Sequence, residues 1–261
     1  MRDTLEIVKL NLVGLILAGG SGSRLLPFTK YTHKTLLPIY DRPVIDYGIS
    51  TMRKAGIKDI IIVANKHIVQ VAEHVGEGRD DENIRYVLED RPTGVRNALD
   101  LARNWIKGKR VLLYFSDNIT NWNFSQDASQ FMNSKTPPGA ILLVREVDDP
   151  QSFGVCVLDS DGKVVDIVEK PETEISNLAV GGIYLFDETL FERIDGFGPD
   201  FDFSISDITK QYVSEGRAQI RNIGLTTWID CGTPDNLFHA SDLARSGVIS
   251  TDSQIGKGDR S

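Results

Sequence analysis

Three glycines, an arginine and a lysine stand close together in residues 19–34, and together they suit an anion. Gly19, Gly20 and Gly22 let the backbone turn sharply and bring its amides up to a ligand that a side chain would block. Arg24 closes that loop and Lys34 follows one short loop later, so two cations stand where backbone donors already point. Two familiar phosphate loops are excluded by spacing. A dinucleotide fingerprint needs a glycine where Leu25 stands, and a Walker loop needs Gly-Lys-Ser/Thr where Ser23 and Arg24 follow Gly22, with no helix expected before about Pro43. No Ser-His-Asp or Cys-His grouping is evident. Cys156 and Cys231 match no metal or redox spacing. His67 and His74 could share a helix face, but without further ligands they read as surface residues.

The elements that must position this loop are strands and helices in alternation. Leu12–Ala18 is short, aliphatic and unalternating, as in a strand buried on both faces, and so is Asp59–Ala64. Helical spacing runs through Val44, Ile45, Ile49 and Met52, then over residues 66–75, and most clearly through Val95, Ala98, Leu99, Ala102 and Ile106. Strands are expected at 84–88 and 111–115, the latter ending in Ser116-Asp117-Asn118. This succession predicts an α/β fold with a Rossmann-like, doubly wound mixed sheet flanked by helices. Its strand carboxyl ends share one edge, where ligands bind, and both the glycine loop and Asp117 fall there. The second half reads as strands at 140–147, 155–158, 164–169 and 178–186, followed by helices at about 206–214 and 234–245. With no linker between the halves, residues 1–246 are expected to form one domain, a nucleotide half at about 12–135 and a sugar half at about 136–246. Residues 247–261 are expected to be a flexible tail.

Composition narrows the function. The chain has 261 residues, 41% of them hydrophobic, and a formal net charge of −8. No basic stripe is present to displace counterions, so nucleic acid is excluded as a general partner. No apolar run approaches the roughly 18 residues of a membrane span, the N-terminus lacks a signal-peptide core, and a reduced cytoplasmic protein is expected.

The loop Gly19-Gly-Ser-Gly-Ser-Arg-Leu25, with Lys34 before Leu36-Leu-Pro38, resembles the signature of sugar-1-phosphate nucleotidyltransferases, glucose-1-phosphate thymidylyltransferases in particular. Further motifs follow in family order: Ser116-Asp-Asn118, Phe153-Gly-Val155, Val168-Glu-Lys-Pro171, residues 177–184 and Trp228-Ile-Asp-Cys-Gly-Thr233. The resemblance implies that a sugar-1-phosphate oxygen attacks the α-phosphorus of a nucleoside triphosphate, dTTP with glucose-1-phosphate, and that pyrophosphate leaves. It implies Mg2+ held by Asp117 and Asp230, with Arg24, Lys34 and Lys170 as the catalytic cations. Leu17, Gly19, Gly20, Gly22, Arg24, Glu89 and Gly94 would bind the nucleotide. Asn118, Gly154, Glu169, Lys170, Val180 and Tyr184 would bind the sugar phosphate, although Val180 and Tyr184 would serve equally well as core. A homo-oligomer is compatible with the resemblance, but a tetramer is not assumed, because the chain ends before the C-terminal helices of longer members.

Departures from the family cluster where the base should bind. Glu89 replaces a usual glutamine and Arg96 a usual small residue; Ser116 and Phe153 are smaller changes. An ionised glutamate only accepts hydrogen bonds, whereas glutamine accepts and donates. Guanylyl, cytidylyl or uridylyl transfer to another sugar or small-alcohol phosphate therefore remains an alternative, and a non-catalytic nucleotide-sensing subunit a more distant one.

Overall fold

A computed structural model describes residues 12–198 and 201–251. The first half is built as the periodicity predicts. Strand β1 (Leu12–Ala18) leads through the glycine loop and a two-residue ribbon, β2 (Pro38–Ile39) and β3 (Arg42–Pro43), into α1 (Val44–Lys54). Then come β4 (Asp59–Ala64), α2 (Ile68–Val75), β5 (Asn83–Leu88), α3 (Val95–Ile106) and β6 (Arg110–Phe115). Helix α2 starts two residues later than expected, because the Asn65 side chain accepts from the His67 N–H and holds a turn there.

β6, β1, β4 and β5 lie side by side and all parallel. The chain steps outward from β1 to β4 and β5, then returns to add β6 on the other side of β1. Strand order therefore reverses between β1 and β6, and the crevice at their carboxyl ends is the switch point where such sheets bind ligands. Alternate residues of β1 face opposite layers. Val13, Leu15 and Leu17 join the core beneath α3, whereas Leu12, Ile16 and Ala18 join the core beneath α1 and α2.

The second half extends the same sheet with antiparallel strands. After β7 (Asn118–Thr120) and α4 (Ser125–Asn133) come β8 (Ala140–Glu146), β9 (Gly154–Leu158), β10 (Val164–Glu169) and β11 (Leu178–Phe186). Helices α5 (Leu190–Gly196) and α6 (Ile205–Ser214), strands β12 (Ala218–Asn222) and β13 (Trp228–Asp230), and α7 (Pro234–Arg245) complete the described fold. One edge of β11 is shared: Ile183–Phe186 pairs with β6, and Ala179 pairs with β9. Between those pairings, at Val180-Gly181-Gly182, the edge is open. The register against β8 also slips there, four residues of β11 spanning two of β8. The mixed, doubly wound architecture with helices on both faces is thus present, and the gap in β11 opens beside the switch point.

A third apolar cluster lies under the glycine loop, joining Leu25, Leu37, Tyr47, Ile119, Ile229, Leu237 and Ile249. Ile249 corrects the expectation of a tail that frays from Gly247. Gly247 takes φ 78, the Val248 N–H donates 2.9 Å to the Leu243 carbonyl, and Ile249 is 2% exposed. The turn after α7 thus folds the chain back, and a buried isoleucine pins it. Residues 252–261 of that segment lie outside the described residues. Among the described residues no helix is long and apolar enough to cross a membrane.

Candidate active site

The glycine loop is held in shape from within. Gly22 sits at φ 65, its carbonyl accepts from the Thr29 hydroxyl at 2.7 Å, and a Cβ there would meet the Thr29 methyl at 2.8 Å. Lys34 passes beneath the loop, its Nζ 3.1 Å from where a Gly20 Cβ would stand. It reaches across to Asp117 at the end of β6, donating to Oδ2 at 2.7 Å. His33, 1% exposed, accepts the Thr35 N–H on Nδ1, and burial together with the adjacent Lys34 charge lowers its pKa to about 4.

Two carboxylates far apart in sequence meet through the short β7–β13 ladder. Asn118 faces Asp230 in that register, and the Cys231 N–H donates 2.7 Å to the Asp117 carbonyl. Asp230 Oδ1 accepts from the Gly232 N–H at 2.8 Å, and Arg24 lies so close over Gly232 that a Cβ there would clash with its guanidinium. Burial opposes ionisation of Asp117, but the charge and hydrogen bond of Lys34, with Arg24 beyond, hold its carboxyl below the usual range. Asp230 is pushed up, first by burial and then by the negative charge of Asp117. Adjacent half-buried carboxylates in this state favour a further cation. Among the described residues no third acidic, histidine or cysteine side chain joins them, so a metal here would complete its shell with substrate oxygens and water, the habit of magnesium.

Two cavities adjoin here, and both carboxylates line the first. One of about 450 Å³ opens at the gap in β11 and is lined by Arg24, Asp117, Asn118, Gly154, Glu169, Lys170, Val180, Tyr184 and Asp230. Lys170 takes φ 44, a left-handed conformation rare for a residue with a side chain, and it precedes Pro171. Glu169 Oε2 accepts from the Ser206 hydroxyl at 2.8 Å and lies against Gly154, where a Cβ would be 2.9 Å away. The Asn118 amide is engaged within the protein: Oδ1 accepts from Trp228 Nε1 at 2.7 Å and Gly182 N at 3.2 Å, and Nδ2 donates to Phe115 O at 3.2 Å. Tyr184 packs between Phe115 and Phe186.

The second cavity, about 320 Å³, lies under the glycine loop and is lined by Leu17, Gly19, Gly20, Lys34, Glu89 and Gly94, with Val95, Ala98 and Phe115 as apolar wall. Phe115 is common to both cavities. Every sequence-predicted site residue except Gly22 therefore lines one cavity or the other. Arg96 does not: its Nη1 donates to the carbonyls of Gly198 and Phe201 at 2.7 and 2.8 Å. His67 and His74 find separate partners. His74 Nε2 lies 2.7 Å from the buried Asp46, and the His67 ring meets His33 edge-on.

Several residues of the site were not singled out from sequence. Trp228 orients Asn118, Ser206 holds Glu169 and Asn97 holds Glu89, donating to its Oε1 at 2.9 Å. Only Trp228, inside the Trp228–Thr233 motif, carried a readable signal; Ser206 and Asn97 are ordinary polar residues of helices, and their type alone does not reveal the carboxylates they hold.

A profile of the family described as Nucleotidyl transferase matches residues 13–247. The glucose-1-phosphate thymidylyltransferase of Xanthomonas campestris pv. campestris is 35% identical over 235 residues, 88% of this chain and 79% of the relative. That of Mycobacterium tuberculosis is 33% identical over 239 residues, 89% and 82% of the two chains. A solved Bacillus anthracis structure provisionally named glucose-1-phosphate thymidylyltransferase, in complex with a sucrose, superposes with a TM-score of 0.86 at 34% identity, covering 93% of this chain and 98% of that one. Family profile, relatives and solved fold agree across the strands that carry the glycine loop and both aspartates, and the chain belongs to the nucleotidyl transferase family.

Proposed function

We propose that this protein transfers a nucleotidyl group from dTTP to glucose-1-phosphate, releasing pyrophosphate and forming a nucleotide sugar. The observation that carries the reading is that Asp117 and Asp230 line the cavity closed by Glu169 and Lys170, while Lys34, bonded to Asp117, lines the adjoining cavity roofed by the glycine loop. In-line transfer at phosphorus asks a protein for positioning and charge neutralisation more than for a nucleophile, and this site is made of cations, backbone donors and paired carboxylates. Asp117 and Asp230 would hold Mg2+, which supplies charge neutralisation on the phosphates when bound.

Each side chain then has a defined task. The loop at Gly19, Gly20 and Gly22 cradles the triphosphate, and Leu17 and Gly94 border the base. Lys170 fixes the sugar phosphate so that its oxygen faces the α-phosphorus, while Glu169 accepts from sugar hydroxyls. Gly154, Val180 and Tyr184 shape the sugar cavity, and Asn118 sets its rear wall. Arg24 faces the charge that builds on departing pyrophosphate, and Lys34, tied to Asp117, holds the triphosphate side of the metal site. The glucose-1-phosphate and dTTP assignment is supported by what the relatives are named for.

A guanylyl alternative rests on Glu89 alone, since an ionised carboxylate suits the paired N–H donors of guanine. Pyrophosphate release with Mg2+ and glucose-1-phosphate, run against dTTP, UTP, CTP, GTP and ATP with an EDTA control, tests the reading. Release with dTTP, abolished by EDTA, is expected; release confined to GTP would transfer the assignment to guanylyl transfer, and silence with all five would refute it.

A further inference from the structure

The cavity under the glycine loop has apolar walls and one buried acid. Glu89, 2% exposed, directly follows β5, and its N–H donates 2.8 Å to the Ala64 carbonyl. Its side chain turns under the loop so tightly that a Gly19 Cβ would fall on Oε2, so only glycine fits opposite it. The two carboxyl oxygens differ. Oε1 accepts from Asn97 Nδ2 at 2.9 Å, and the same Asn97 nitrogen donates 3.1 Å to the Arg91 carbonyl. Oε2 receives no hydrogen bond from any described residue.

Among the described residues no cation compensates this acid. Lys34 lines the same cavity, but its Nζ is held by Asp117. From α3, Arg96 turns away to Gly198 and Phe201, and Asn97 is neutral. Asp90 and Arg91, next in the chain, are exposed, as is Asp202 beside Gly94; β1, the glycine loop and β6 bring Leu17, Gly19, Gly20 and Phe115, none of them charged. Burial accordingly pushes the Glu89 carboxyl up, and only the Asn97 hydrogen bond pulls it back. If Glu89 carries a proton, it must sit on Oε2, because Oε1 is already an acceptor. A neutral Glu89 then offers a donor, Oε2–H, beside the remaining lone pair of Oε1. That is the hydrogen-bonding pattern of a glutamine amide.

We propose that Glu89 selects the nucleobase as a neutral carboxylic acid, Oε2–H donating to a ring carbonyl and Oε1 accepting from the adjacent ring N–H, the edge that thymine and uracil present. The inference rests on the nucleotidyl-transfer reading above and names what that site recognises. It also explains how a glutamate can stand in a pocket for a base that an ionised glutamate would repel.

The test is titration calorimetry of dTTP binding to the full-length protein from pH 5 to 8.5, in buffers of different ionisation enthalpy, for wild type and Glu89→Gln. The glutamine variant shares every other ionisation, including those of the triphosphate, so the difference between the two proteins isolates Glu89. Above the pH at which free Glu89 ionises, wild type is expected to take up about one more proton than the variant on binding. Its dTTP affinity should weaken up to about tenfold per pH unit relative to Glu89→Gln. Identical proton uptake and pH profiles in the two proteins would overturn the proposal. So would a wild-type preference for GTP that Glu89→Gln abolishes, which would make the ionised form the reader. Proton-linked dTTP binding without pyrophosphate release would uphold this inference and overturn the transfer reading instead, and no dTTP binding to either protein would overturn both.

Discussion

Lys170 holds φ 44 immediately before a proline, a conformation that costs on the order of 1–3 kcal/mol unless the surroundings impose it. Such strain at the wall of a cavity is expected where a side chain has a task. Lys170→Ala should lower kcat/KM for the sugar phosphate by roughly 10² to 10³, as loss of one preorganised charge typically does, while leaving the folded state intact by circular dichroism. Asp117→Asn should lower kcat by at least a similar factor and raise the Mg2+ concentration needed for half activity. His33 gives a prediction about acid stability. Its native pKa of about 4 lies below the ordinary 6.5, so between those values the unfolded chain binds more protons and stability falls as pH falls. Denaturant unfolding at pH 7 and pH 5 should show wild type losing about 2 kcal/mol more than His33→Gln over that interval. Much of the site was legible at this scale, because glycines, cations and carboxylates at strand ends declare their chemistry by type. The engagement of Asn118 with Trp228 and Gly182 was not, since an amide reads the same whether it faces a ligand or its own protein.

At the scale of elements, the site depends on pieces too short to show periodicity. β7 and β13 are three residues each, yet their ladder sets Asp117 beside Asp230. No pattern of period two can be read in three residues, and their partnership spans more than a hundred residues of chain. β12, Ala-Gln-Ile-Arg-Asn on the sheet edge, was invisible for a different reason: an edge strand can be polar on both faces. The long unalternating strands β1 and β4 and the amphipathic α3 were legible because burial on two faces, or on one helical stripe, leaves a strong mark. Gly247-Val-Ile249 misled because its neighbours are small and polar, although the one isoleucine fills the cluster beneath the glycine loop. Ile249→Ala should therefore cost about 2–4 kcal/mol in denaturant unfolding, whereas a truly frayed tail would show no change.

Across the whole molecule, one sheet sets two adjoining cavities beside one pair of carboxylates. The parallel strands end at the reversal between β1 and β6, which places the glycine loop and Asp117 on either side of one crevice. The antiparallel strands add the open edge of β11, where the second cavity begins next to the first. Phe115 lines both, and the aspartates stand in the wall of the second cavity, with Lys34 reaching Asp117 from the first. This arrangement serves group transfer between two bound molecules better than hydrolysis of one. Product identity decides between the two, read by phosphorus NMR of a mixture of the protein, Mg2+, dTTP and glucose-1-phosphate. Equal amounts of pyrophosphate and a new diphosphodiester, each absent when EDTA is added, are predicted. Appearance of nucleoside monophosphate with pyrophosphate, or of orthophosphate alone, would mean that water is the acceptor and would contradict it.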